Sequence, residues 1–148
     1  MNKGELEYAA SDGDAKVFRA VSAGREIHQY EIDGPAYLGF PSSFDVYGDG
    51  SMVIALAGGH TTGSVVVFVT VPSGQRYAFI GDLTWQLEGV HRRIERPWLL
   101  RVLADSDAEQ VRRGLLRASS LSHLMQIIPA HDRDAYDGIP ALPGSFQR

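Results

Sequence analysis

Two apolar runs constrain this chain most, Met52–Leu56 and Val-Val-Val-Phe-Val-Thr-Val at residues 65–71. The turn Ala-Gly-Gly-His-Thr-Thr-Gly-Ser at residues 57–64 joins them. β-Branched and aromatic residues favour a pleated, buried surface, and glycines let the backbone reverse, so the reading is strand, turn, strand. The run Val-Val-Val-Phe-Val at 65–69 has no polar alternation and is expected to be covered on both faces. His60 stands at the end of a buried strand, held rigidly yet within reach of solvent. Such a position suits a metal ligand; the other reading is an imidazole that caps the turn.

The same arrangement occurs twice more. Tyr-Ala-Phe-Ile-Gly-Asp at 77–82 is an apolar strand ending in glycine and the carboxylate of Asp82. Met-Gln-Ile-Ile-Pro-Ala-His-Asp at 125–132 ends in His131. With Gly-His-Thr-x-Gly-Ser, the Gly-Asp and Pro-Ala-His-Asp endings resemble the metallo-β-lactamase-fold hydrolases, in the right order and over residues 6–143. That resemblance implies that His60 ligates a first metal, Asp82 bridges two metals and His131 ligates the second, with Asp82 orienting the catalytic water. Thr62 stands where the family usually has proline. The family's His-x-His-x-Asp-His signature, which supplies four further ligands upstream of the turn, has no counterpart here. Of the five histidines only His28 precedes His60, and it has no partner at i+2 or i+5. The chain therefore resembles the later part of the fold. The implied architecture is α/β (α+β), a partial αββα sandwich with a mixed sheet, and residues 1–148 are read as one truncated domain.

Composition narrows the chemistry. A chain of 148 residues suffices for one domain that buries roughly 70% of its unfolded surface. Without cysteine there are no disulfides, thiolate nucleophiles or cysteine zinc sites, so any metal must take nitrogen and oxygen donors: zinc first, then manganese or iron. A net charge of −4 disfavours a surface that tracks phosphates. No apolar segment approaches the ~18 residues of a membrane span, and the polar N-terminus has no signal-peptide core, so a cytoplasmic location is the expectation.

The remaining segments read as follows. Residues 3–10 form a short helix broken by Asp12-Gly13-Asp14, residues 15–24 a second, and residues 26–32 an edge strand. Residues 34–49 are loop-rich. Their aromatics line a substrate pocket or cover the sheet edge, the second role being the expected one. Tyr47-Gly48-Asp49-Gly50 is a turn, and strands at 51–56, 64–71 and 76–80 follow, the last two joined by a Pro72-Ser73-Gly74 hairpin. Residues 83–96 carry His91, Arg92, Arg93 and Arg96, read as a solvated helix face rather than an anion site. Residues 97–100 start a helix or pack as a lid. Residues 105–119 are the clearest helix, capped by Asp105 or by Ser106 with Glu109, with Ala108, Val111, Leu115 and Leu116 as its apolar stripe. His123 is read as structural, and the segment after 132 as an irregular tail.

A metal pair lowers the pKa of bound water and polarises a carbonyl or phosphoryl centre. A catalytic zinc takes three protein ligands, and His60, Asp82 and His131 supply at most two to each metal. Two functions stay open. One is a hydrolase of ester, lactone or β-lactam type small molecules with an incomplete dinuclear site, completed by association with a second copy. The other is a non-catalytic family member serving as an oligomeric binding module. Nucleic-acid or anion binding through Arg92, Arg93 and Arg96 is a distant third.

Overall fold

The computed structural model describes residues 1–11 and 15–140. Its centre is a five-stranded sheet in sequential order: β1 (Ser43–Asp45), β2 (Met52–Leu56), β3 (Val65–Thr70), β4 (Arg76–Gly81) and β5 (Gln126–Pro129). β1 to β4 pair antiparallel, whereas β5 pairs parallel with β4. The expected α+β class with a mixed sheet is therefore present. A parallel neighbour requires a crossover, and the chain makes it through α3 (Leu87–Arg92), α4 (Trp98–Ala104) and α5 (Ala108–Leu121). Before the sheet lie α1 (Lys3–Ser11) and α2 (Ala15–Ser22). No helix among the described residues is long and apolar enough to cross a membrane.

The strands form where the apolar runs predict them. Gly48 and Gly50 take positive φ in the turn before β2, and the Asp45 carboxylate accepts from both of their amides at 3.0 and 2.9 Å. The hairpin between β3 and β4 closes with Val71 N donating to Gln75 O at 3.0 Å. Other expectations are corrected. Residues 26–32 form no strand and make one bridge, from Tyr30 to Asn2. The loop-rich segment contributes β1, and its aromatics cover the sheet: Phe40 is fully buried, edge-on to Phe68, and Tyr37 packs on the same ring. The break expected at Asp12-Gly13-Asp14 lies outside the described residues.

The sheet buries one face. Val53, Ala55, Val66, Phe68, Ala78, Ile80 and Ile127 pack with Leu83, Val90 of α3, and Leu115, Ala118 and Leu121 of α5. The opposite face carries Ile54, Val67 and Phe79 in register across three strands, all half-buried. On this face Tyr77, Ile128 and Ala135 form a small cluster with Val69 and Phe79 packed against it, and Tyr30 stacks on Phe44 of β1. The expectation that β3 is covered on both faces holds only in part: its residues alternate buried and half-buried, with Val90 of α3 and Leu115 of α5 packed on the buried face.

The cap of α5 also differs from expectation. Asp107 fills the position, accepting from the amides of Glu109 and Gln110 at 3.0 Å each. The backbone N–H of Gln110, and then its side chain, hold the Asp107 carboxyl below the usual aspartate range. A carboxyl depressed in the folded state contributes stability above its unfolded value of ~3.9, lost as pH falls through the lower folded value. Urea midpoints in this acidic window should fall for the wild type, and less steeply for Asp107→Ala. Leu115→Ala, at a fully buried position, should cost about 2–5 kcal/mol by denaturant titration.

Candidate functional site

The antiparallel and parallel pairings together decide where the three proposed site residues fall. The β2–β3 turn sits at the end of the sheet where β3 begins. Because β4 runs antiparallel to β3, its C-terminal Gly81 and Asp82 arrive at that same end. Because β5 runs parallel to β4, Pro129 pairs with Gly81, and Ala130 N donates to Gly81 O at 3.2 Å, which brings His131 alongside Asp82. His131 Nε2 lies 3.0 Å from Asp82 Oδ1. His60 and Asp82 both line a cleft of about 420 Å³ between the strand ends and the N-terminal segment, with Asn2, Glu5 and Tyr30 opposite.

The turn that carries His60 is built by close approach. Gly59 has φ +96°, and a Cβ there would lie 2.6 Å from the backbone nitrogen of Val111. The turn can thus press against the start of α5. Gly59 O accepts from Asp107 N at 2.8 Å and from Ser106 Oγ at 2.9 Å, and His60 O accepts from Ser106 N at 3.1 Å. On the other side, a Cβ on Gly63 would meet the Glu5 backbone at 2.2 Å, so only glycine admits α1 there. The buried Asn2 amide donates to Gly63 O at 2.7 Å. Thr61 donates to the Glu5 carboxylate, and Thr62 donates to Gly4 O at 3.0 Å. The hydroxyl at position 62 therefore fastens the turn to α1, a role proline has no group to fill.

Sequence reading missed the group behind His60. His60 Nδ1 lies 3.2 Å from Asp105 Oδ1, and the Asp105 side chain is fully buried. Arg96 Nη1 lies 3.3 Å from the same oxygen, an ion-pair contact without hydrogen-bond alignment, and its side chain is 2% exposed. Arg96 Nη2 donates to the backbone carbonyl of Asp82, and the guanidinium sits over the Trp85 ring at 5.4 Å. The Trp85 ring meets His131 edge-on. Asp105, a candidate helix cap by sequence, and Arg96, expected on a solvated face, are both internal. The D-S-D spacing before α5 offers a helix cap at any of three positions, and only the close packing of the turn against α5 selects among them. Of the neighbouring arginines, Arg92 pairs with Glu88 on the surface and Arg93 Nε donates to Ser119, so the three form no common cationic patch. His28, His91 and His123 are exposed. Asp132, next to His131, accepts from Leu87 N at 2.7 Å and anchors the start of α3.

The donor chemistry suits zinc in kind, with imidazole nitrogens and a carboxylate, but falls short in number. Among the described residues no group of three His, Cys, Asp or Glu side chains is placed to hold a metal ion. A catalytic zinc takes three protein ligands, so these residues do not make such a site by themselves.

Removing one partner of a buried ion pair strands the other charge. Arg96→Ala should therefore cost about 3–5 kcal/mol in urea unfolding, whereas Arg92→Ala, on an exposed pair, should cost under about 1 kcal/mol.

No protein-family model and no curated protein matches this sequence. Solved structures do. An N-acyl homoserine lactone hydrolase with the product N-hexanoyl-L-homoserine at its catalytic metal centre superposes with a TM-score of 0.66 at 14% identity, covering 96% of this chain and 50% of that one. The B. thuringiensis protein AiiA, with N-decanoyl-L-homoserine bound at its active site, gives the same values. A quorum-quenching N-acyl homoserine lactone lactonase gives 0.66 and 14%, over 96% of this chain and 52% of that one. The chain spans about half the length of these structures. Across nearly all of its own length it shares the fold of these N-acyl homoserine lactone hydrolases.

Proposed function

We propose that this chain is a hydrolase domain of metallo-β-lactamase type whose dinuclear metal site is incomplete within one chain. What supports the reading is the contact of Asp82 with His131, together with the position of His60 on the same cleft as Asp82. In this reading His60 and His131 each serve one metal and Asp82 serves both. Zinc is the first candidate, then manganese or iron. The substrates are small molecules of ester, lactone or β-lactam type. Lactones come first for assay, because the lactone hydrolases above share the fold. We place the protein in the cytoplasm, as one domain, without nucleic-acid or membrane partners.

The missing donors would come from a second copy of the chain. Two apolar surfaces support association: the half-buried sheet face at Ile54, Val67 and Phe79, and α4, where Trp98, Leu99, Val102 and Leu103 are all exposed. Covering apolar surface is favourable at roughly 25 cal/mol per Å². Light scattering at micromolar concentration should give more than a monomer mass; a monomer would refute association.

The second reading, a non-catalytic oligomeric binding module, is favoured by the absence of a three-donor group among the described residues. Metal analysis separates the two. Zinc near one equivalent or more per chain, lost in His60→Ala, supports the hydrolase. A zinc-free protein whose His60→Ala variant folds and associates normally supports the module. Turnover of a generic ester and a lactone with added zinc or manganese should be weak or absent for the isolated chain. Robust turnover abolished by Asp82→Ala would overturn the ligand-count argument and point to a site assembled between chains.

A further inference from the structure

We infer that Asp105 and Arg96 are the positioning residues of this site: Asp105 fixes His60 as the Nδ1–H tautomer, leaving the Nε2 lone pair facing the cleft, and Arg96 ties that anchor to the backbone of Asp82. This inference deepens the functional reading above and rests on it only for what the free nitrogen binds. Three observations carry it. Asp105 Oδ1 is the group facing His60 Nδ1, at 3.2 Å, and a carboxylate oxygen accepts there, so the proton belongs on Nδ1. The Asp105 side chain is fully buried, so no solvent competes for that contact. One guanidinium, almost wholly buried, faces both the Asp105 oxygen that His60 uses and the carbonyl of Asp82.

The pairing also explains why an arginine is buried beside the cleft. Among the described residues there is no hydrogen-bond partner for Arg96 Nε or for Asp105 Oδ2. A pair satisfied this incompletely is a poor choice for stability alone. Its geometry has a use, because each charge touches a different side of the site. A carboxylate behind an imidazole fixes its tautomer and ring orientation, and removal of such a support typically costs 10–100-fold in metal affinity or activity.

The test reads the tautomer in metal-free protein, by long-range ¹H–¹⁵N correlation of the histidine ring nitrogens at pH ~8, where an ordinary imidazole is neutral. The His60→Gln variant identifies the His60 signals. The wild type should show His60 almost wholly as Nδ1–H. The double variant Arg96→Met/Asp105→Leu removes both charges together, avoiding a stranded partner, and should shift His60 to predominantly Nε2–H. A wild-type His60 that is Nε2–H or mixed overturns the inference, whether or not the double variant folds. So does a folded double variant that keeps the wild-type tautomer. Zinc titration of the same samples keeps the two readings apart: the expected tautomer without zinc uptake sinks the metal site and leaves the positioning pair standing.

Discussion

Two charges almost without access to solvent, on Arg96 and Asp105, hold together the parts of this fold that the sheet alone does not connect. Taking each from water costs several kcal/mol, and their attraction offsets that only while they face each other. The pair therefore fixes the loop before α4 against the loop before α5. From there the constraint spreads through contacts on the page: His60 leans on Asp105, the Asp82 carbonyl on Arg96, and Trp85 beneath the guanidinium meets His131. Three residues from three strand ends thus share one internal anchor.

The glycine-rich turn is held from both sides. Gly59 presses on α5 with a backbone no other residue could present there, and Gly63 admits α1 at a distance that leaves no room for a Cβ. The hydrogen bonds from Asn2, Thr61 and Thr62 secure the α1 side, and those from Ser106 and Asp107 secure the α5 side. Such rigidity suits a group whose use depends on where its lone pair points. The sheet contrasts with this end of the molecule. It is closed by helices on one face and left half-open on the other, and α4 offers solvent a nearly continuous apolar surface. Surfaces of that kind are interaction sites or aggregation liabilities, which is why the reading of function and the reading of association belong together.

The sequence by itself determined the strands from Met52 to Gly81, the turn between β2 and β3, the helix along the Val111–Leu115 stripe and the placing of His60, Asp82 and His131 at strand ends. These follow from local causes: β-branched runs, glycines at reversals, and helical spacing of apolar residues. Order and spacing were also enough to raise the resemblance to a fold that solved structures at 14% identity share. Only the tertiary structure decided that Asp105 and Arg96 are internal, that Asp107 caps α5, that residues 26–32 pair with no strand, and that one face of β3 is covered more fully than the other. Each of these depends on what a segment meets across the fold. A charge nine residues from its partner, or an apolar strand with one half-covered face, looks the same in sequence as a solvated arginine or a core strand. The difference appears only when the helices choose a side of the sheet.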